Sequence, residues 1–358
     1  MSAAMTAATD PRDRGGAAQP LLIVEGLRKH FPIYGGLLGR RQATVHAVDD
    51  VSFSVRKGET LGIVGESGCG KSTTARLLMR LIEPDAGAVV FDGETVGSRT
   101  GIGVDAMRRQ MQMVFQDSYT SLNPRMTVAE SISYAPRIHG LARAAANARA
   151  DGLLGQVGLD PGQFARRYPH ELSGGQRQRV NIARALALDP RLVILDEAVS
   201  ALDKSIEAQV LNLLTDLKRR LNLTYVFISH DLNVVEFISD RVLVMYLGQV
   251  VETGPVDAIY ARPRHPYTRA LFASKPTLDP DRRTTEPPLA GDPPNPIDPP
   301  SGCRFRTRCA FAAPTCAETT PRLAPPLPGP ISRPPDDPQH LVACIRAIAQ
   351  AGGEGLDA

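Results

Sequence analysis

This 358-residue sequence lacks a long apolar run, a block of like charge and an apolar stretch near its start. No segment approaches the roughly 18 consecutive apolar residues that span a bilayer. The chain is therefore not expected to cross a membrane by itself, and any membrane role is peripheral, through a partner. Lys and Arg number 41 against 38 Asp and Glu, a net charge of +3 with no basic block. That balance argues neither for nor against nucleic acid, and no nucleic-acid partner is implied. Residues 1–20 are mostly Ala, Thr, Asp, Arg and Gly without a hydrophobic centre, so they read as a disordered lead-in rather than a signal peptide. Five cysteines without an export signal point to a reducing cytosol, where disulfides are disfavoured.

What the sequence does have is Leu61-Gly62-Ile63-Val64-Gly65-Glu66-Ser67-Gly68-Cys69-Gly70-Lys71-Ser72-Thr73, an apolar run that breaks into glycines, then a lysine and two hydroxyls. Glycines at 65, 68 and 70 allow a tight turn whose successive N–H groups point at phosphate oxygens. Ala75, Leu77, Leu78 and Leu81 fall on helical spacing, which predicts a helix from near Lys71 with its positive end toward the same anion. Lys71 would reach the β- and γ-phosphates of a nucleotide, and the Ser72 hydroxyl would ligate Mg²⁺.

Upstream, Leu21 to Val24 and the alternating Val51, Phe53 and Val55 predict strands of an antiparallel flap. Between them Phe31 is either an adenine-stacking ring or an ordinary core or loop aromatic. Downstream come a strand at Ala88 to Phe91, a hairpin turn at Asp92-Gly93, and a strand at Met111 to Phe115 that ends at Gln116. From Asp117 to about Asp189 strand signals disappear, predicting a helical subdomain inserted into the core. Near its end Leu172-Ser173-Gly174-Gly175-Gln176 opens a second helix, a second anion site at a helix N-terminus.

The apolar strand Leu192 to Leu195 then delivers two carboxylates, Asp196 and Glu197, at the strand end where open α/β sheets bind ligands. An amphipathic helix over Ser205 to Leu221, with Ile206, Val210, Leu213, Leu214 and Leu217 on one stripe, separates this strand from buried strands at Thr224 to Ile228 and Arg241 to Tyr246. This alternation predicts a mostly parallel sheet covered on both faces. Eighteen of the thirty prolines lie between 276 and 338, which places a boundary near 276 and predicts an irregular appendage beyond it.

Phosphoryl transfer from ATP needs a phosphate cradle, Mg²⁺ ligands, a group that orients water and a sensor of the γ-phosphate. Asp196 would hold Mg²⁺, Glu197 would polarise water, and Gln116 and His230, each at a strand end, would reach the metal or water and the γ-phosphate. In this order the motifs resemble those of the ATP-binding-cassette (ABC) ATPases. The likeness rests on the phosphate loop at 65–73, Gln116, the signature Leu172 to Gln176, the strand 192–197, the D-loop Ser200-Ala201-Leu202-Asp203 and His230, and it covers residues 21 to about 255. It implies a P-loop cassette fold, ATP and Mg²⁺ as cofactors, and Phe31 in the adenine-stacking position. It also implies a head-to-tail pair in which Ser173, Gly174, Gly175 and Gln176 face the nucleotide of a second ABC ATPase.

A narrower resemblance is to the oligopeptide/dipeptide (Opp/Dpp) importer ATPases. It rests on Asp117-Ser118-Tyr119-Thr120-Ser121-Leu122-Asn123-Pro124-Arg125, Arg167-Tyr168-Pro169-His170-Glu171, Ile228-Ser229-His230-Asp231-Leu232 and His265-Pro266-Tyr267-Thr268-Arg269-Ala270-Leu271. Ala198 departs from the family, which usually has proline after the glutamate. The resemblance implies an energy-coupling ATPase on the cytoplasmic face of the cell membrane, with two permease subunits and an extracytoplasmic solute-binding protein. It predicts 21–275 as the ATPase domain and 276–358 as the transporter C-terminal region. The resemblance implies a di- or oligopeptide as cargo, or alternatively a nickel chelate or sugar. The competing class, a soluble ABC ATPase acting on nucleic acid or ribosomes, usually fuses two cassettes or inserts long coiled coils or zinc modules, whereas this sequence reads as one cassette with neither insertion.

Cys303, Cys309, Cys316 and Cys344 lack the close Cys pairs usual for structural zinc. Free thiols, zinc and a 4Fe-4S cluster remain open on spacing alone, the last tolerating irregular spacing. The Opp/Dpp resemblance, through Gly302-Cys303-Arg304-Phe305 and Arg308-Cys309, implies the cluster, with a structural role.

Overall fold

The structure, a computed structural model, describes residues 12–16, 18–35, 39–274, 294–325 and 339–347. Two sheets organise the chain. Strands β1 (Leu22–Gly35), β2 (Arg40–Val55), β4 (Ala86–Phe91) and β5 (Glu94–Thr95) form an antiparallel sheet in the order β2-β1-β4-β5. Strands β3 (Thr60–Val64), β6 (Met111–Val114), β7 (Leu192–Asp196), β8 (Thr224–Ile228), β9 (Arg241–Tyr246), β10 (Gln249–Pro255) and β11 (Leu341–Val342) form the larger sheet, ordered β11-β10-β9-β3-β8-β7-β6. From β9 to β6 every pairing is parallel, and β10 and β11 close one edge antiparallel.

The continuous apolar strands are explained by burial on both faces. Leu192 and Ile194 enter the core shared with the antiparallel sheet and the helix Lys71–Leu78, whereas Val193 and Leu195 enter the core beneath the helical segment. The β4–β5 hairpin turns on Asp92 and Gly93 with φ of 48° and 83°, the left-handed pair that a two-residue loop requires. Residues 117–189 carry the helices Val128–Ile138, Arg143–Gln156, Pro161–Phe164 and Gly174–Leu186. Helix Lys204–Leu221 buries Val210, Leu211, Leu214 and Leu217 against the second core, with Ile206 and Leu213 packed at its margin.

Some boundaries differ from the sequence reading. Leu81 lies beyond the end of its helix and is 49% exposed, because the chain turns at Arg80, whose φ is 52°. Strand β1 runs well past Val24, so Phe31 lies within it, opposite Val45. This long arm alternates poorly because its pairing with β2 shifts register repeatedly. Among the described residues of the C-terminal segment the elements are short, and part of the segment joins the core. Leu341 and Val342 extend the large sheet beside Thr253 and Glu252, and Ala324 bridges to Val342. The fully buried Glu252 carboxylate accepts the N–H groups of Arg264 and His265 and lies 2.7 Å from His340 Nε2, which satisfies a charge that burial would otherwise penalise.

Candidate functional site

The phosphate loop leaves β3 at Gly65, where φ is 151° and a Cβ would come within 2.2 Å of the Met245 carbonyl oxygen. At Gly70 φ is 106° and a Cβ would lie 2.3 Å from the Ala47 carbonyl oxygen. Only glycine fits either place. Gly70 is the N-cap of the helix Lys71–Leu78 and offers no side chain to cap it, so the first N–H groups remain directed into the loop. Lys71 is buried, and its ammonium donates to the carbonyls of Gly65 and Glu66 at 2.7 and 3.0 Å.

Three neighbouring strand ends complete the site. At the end of β7, the Asp196 carboxylate accepts the Ser72 hydroxyl at 3.0 Å. Burial raises the Asp196 pKa and the Glu197 charge adds to it, while the Ser72 hydrogen bond opposes both. A divalent cation here would restore the charged form. Glu197 follows with φ of 48°, a strained conformation for a residue with a side chain, and its N–H donates to the Ile228 carbonyl. That turn aims its carboxylate sideways. One oxygen accepts Gln116 Nε2 at 2.7 Å, and the other lies 3.5 Å from His230 Nδ1. Gln116 follows β6 and His230 follows β8, so residues 81 and 33 positions from Glu197 meet at one carboxylate.

Ser67, Gly68, Gly70, Lys71, Ser72, Thr73, Gln116, Glu197 and His230 line one cleft of about 460 Å³, together with Ala47 from β2. Its size is that of a small-molecule site. Cys69 is buried behind the loop, and burial pushes its thiol pKa up. Phe31 is at the surface under the Lys29 ammonium, 5.6 Å away, and is not among the lining residues.

The signature residues lie outside that cleft. Ser173 caps the helix Gly174–Leu186: its hydroxyl accepts the Gln176 N–H, and Gln176 Oε1 accepts the Ser173 N–H at 3.0 Å. Asp203 sits at the N-cap of the helix Lys204–Leu221 without a side-chain capping bond. Ala198, the departure from the family pattern, is buried.

Sequence reasoning missed how Glu66 is held. Its N–H donates to the Tyr267 hydroxyl at 2.8 Å, and its carboxylate receives the Arg308 guanidinium at 2.8 and 3.2 Å. Tyr267 and Arg308 stand inside motifs already singled out, but a contact 242 residues away in sequence leaves no local signal.

Cys303, Cys309, Cys316 and Cys344 are free thiols that line a single small cavity with Phe305, Phe311 and His265. Burial raises the pKa of Cys303 to about 11 and lifts those of Cys309 and Cys344. Among the described residues, the one group of three potential ligand atoms within 4.8 Å of one another is His30, His46 and Asp49. The sulfurs are therefore too widely spaced for a preformed zinc tetrahedron, in which Zn–S bonds of about 2.3 Å hold them roughly 3.8 Å apart. Asp49 in turn already pairs with Arg304 and Arg28.

Residues 48–200 match the ABC transporter family model, and residues 251–316 match that of the oligopeptide/dipeptide transporter C-terminal region. The chain is 53% identical over 306 residues to a probable peptide ABC transporter ATP-binding protein of Sinorhizobium fredii, spanning 85% of this chain and 86% of the relative. It is 47% identical to the oligopeptide transport ATP-binding protein AppF of Bacillus subtilis, spanning 91% and 97%. Among solved structures it resembles CbiO1 of Clostridium perfringens, part of an ABC transporter complex, with a TM-score of 0.58 and 28% identity over 68% of this chain and 91% of that one. The chain belongs to the ATP-binding proteins of ABC transporters, in the branch that carries the oligopeptide/dipeptide C-terminal region.

Proposed function

We propose that this chain hydrolyses ATP to drive import of a di- or oligopeptide, at the cytoplasmic face of the cell membrane. It would act on two permease subunits beside a second ABC ATPase, in a complex with an extracytoplasmic solute-binding protein. The convergence of Gln116, Glu197 and His230 on the phosphate loop carries the enzymatic part of this reading. The similarity to peptide-transport ATP-binding proteins supports the cargo. No helix among the described residues is long and apolar enough to cross a membrane, which suits a peripheral subunit.

In hydrolysis, the loop N–H groups and Lys71 bind the phosphates, and Phe31 would stack on the adenine. Glu197 orients and polarises water for in-line attack, and His230 contacts the γ-phosphate. Ser72, Asp196 and Gln116 are the donors suited to Mg²⁺, an ion that neutralises charge on the β- and γ-oxygens. Ser173 to Gln176, lying outside their own cleft, would serve the nucleotide of the second ATPase, with Asp203 nearby on the D-loop. Purified alone, the chain should hydrolyse ATP slowly, with a specific rate that rises with protein concentration. A high rate independent of concentration would overturn the paired site.

Four thiols around one small cavity are the donor set that a 4Fe-4S cluster would take, and such a cluster would supply a structural cross-link. Anaerobically purified protein is expected to be brown with broad absorbance near about 400 nm, and Cys309→Ser should bleach it. Colourless protein containing about one zinc per chain would favour zinc instead.

A further inference from the structure

The segment that carries the cysteines also touches the phosphate loop. Arg308, immediately before Cys309, is almost fully buried and presents its fork to both oxygens of Glu66, the second residue of the phosphate loop. Every polar group of Glu66 is engaged: its N–H by Tyr267, its carboxylate by Arg308 and its carbonyl by Lys71. The supports are themselves fixed. Phe305 packs edge-on against Tyr246 and Tyr267 with ring centroids 5.3 and 5.5 Å apart, and Arg304 donates to the Leu247 carbonyl and to Asp49. Gly248, beside Leu247, donates its N–H to the Cys69 carbonyl of the loop at 2.9 Å.

We propose that Arg308 is a positioning residue for ATP: by holding and neutralising Glu66 it keeps a carboxylate from facing the nucleotide phosphates, so that the docked C-terminal segment sets nucleotide affinity. Glu66 lies between two residues of an anion cradle, where an unpaired negative charge repels the very ligand the loop binds. The Arg308 side chain is 5% exposed and the Glu66 side chain 22%, so the pair is partly shielded from the solvent that weakens surface ion pairs. The contacts with Arg308 leave Glu197, Gln116 and His230 untouched, so the effect belongs to binding and not to the water-activating step.

This inference rests on the nucleotide site described above, and Mg-ATP titration of the unmodified full-length chain tests that site separately. Arg308→Ala should weaken Mg-ATP binding and raise KM about tenfold, the scale of one lost charge-assisted contact, with kcat at saturating ATP within about twofold of wild type. Adding Glu66→Gln to Arg308→Ala should restore affinity to within about threefold, because the unpaired charge is gone. Arg308→Lys, which keeps charge without the fork, should fall between. Should Arg308→Ala fail to fold, the same cycle run with Arg308→Lys and Glu66→Gln decides the question. Unchanged affinity in the arginine variants, or a double variant no better than the single, would overturn the proposal.

Discussion

The helices Lys71–Leu78 and Gly174–Leu186 both start on glycines, yet their first turns are satisfied differently. Gly70 has φ of 106° and no capping side chain, and its helix points into a cleft lined by Lys71 and Ser72. Ser173 is extended, with φ of −67° and ψ of 165°, and closes a reciprocal capping box with Gln176. The first helix start has no side-chain cap and leaves its N–H groups for a ligand, whereas at the second the Ser173 and Gln176 N–H groups are satisfied within the chain. The missing cap marks the start proposed to hold this chain's own nucleotide, and the capped start is the one proposed to serve a second ATPase. The second start remains open on one face, since a Cβ on Gly174 would meet nothing nearer than Leu202 Cδ2 at 3.8 Å. At Gly175, by contrast, a Cβ would come within 2.5 Å of Ile206 Cγ2, so a side chain fits there only if Ile206 moves.

The most severe way to break this contrast is at Glu197, the carboxylate proposed to orient water on the uncapped side. Glu197→Gln should reduce ATP turnover by about 10² to 10⁴, while Mg-ATP affinity in a direct titration stays within about twofold. The amide can keep the Gln116 contact but cannot act as a base. Turnover within a few-fold of wild type would mean that the cleft beside the uncapped helix is not where water is activated.

A third helix start sharpens the comparison because its cap titrates. His265 Nδ1 accepts the Tyr267 N–H at 3.0 Å, and Tyr267 in turn receives the Glu66 N–H through its hydroxyl. Burial lowers the His265 pKa from 6.5 to about 4, opposed by the Glu252 carboxylate and a backbone hydrogen bond to Ala343. His340 and the cysteine thiols complete the titratable surroundings. As pH falls from 6.5 toward 4, the unfolded chain takes up a proton that the folded one resists, so stability declines through that window and is regained above it. Between pH 7 and pH 5 the loss attributable to this group is about 2 kcal/mol. Urea unfolding at both values checks it, and His265→Asn, an uncharged residue able to cap, should flatten the dependence by that amount. An unchanged slope in the variant would mean that His265 does not carry the linkage.

How far the sequence reveals the site depends on whether an interaction is local. The phosphate loop and the strand ends at Gln116, Asp196 and His230 each announce themselves within about ten residues, because glycine conformations and apolar periodicity are local properties. That Gln116 and His230 meet the loop in one cleft, with Asp196 bonded to Ser72 beside it, follows from a parallel sheet, whose strand ends share an edge. Leu81 was misplaced because three apolar residues at helical spacing cannot show where Arg80 turns the backbone. The role of the C-terminal segment was illegible for the opposite reason. Proline density forbids long regular elements, but it cannot reveal that Arg308 reaches back to Glu66 or that two residues extend a sheet.

The smallest expected effect tests the capped start itself. Ser173→Ala removes the hydroxyl that accepts the Gln176 N–H and leaves that donor without its partner. A lost N-cap costs about 1 kcal/mol, so the urea midpoint of the nucleotide-free chain should fall accordingly. No such loss is available at Gly70, which has no side chain to remove. Affinity for Mg-ATP in dilute, unpaired protein should remain within about twofold, because Ser173 does not line this chain's own cleft. Two results would each collapse the distinction between the two starts. An unchanged midpoint would mean the capping box contributes nothing, and a marked loss of ATP affinity would mean the signature reaches its own nucleotide. With both expectations met, a fall in turnover at high protein concentration would support the proposed site shared with a second ATPase, in which Ser173 would exchange its local partner for a phosphate.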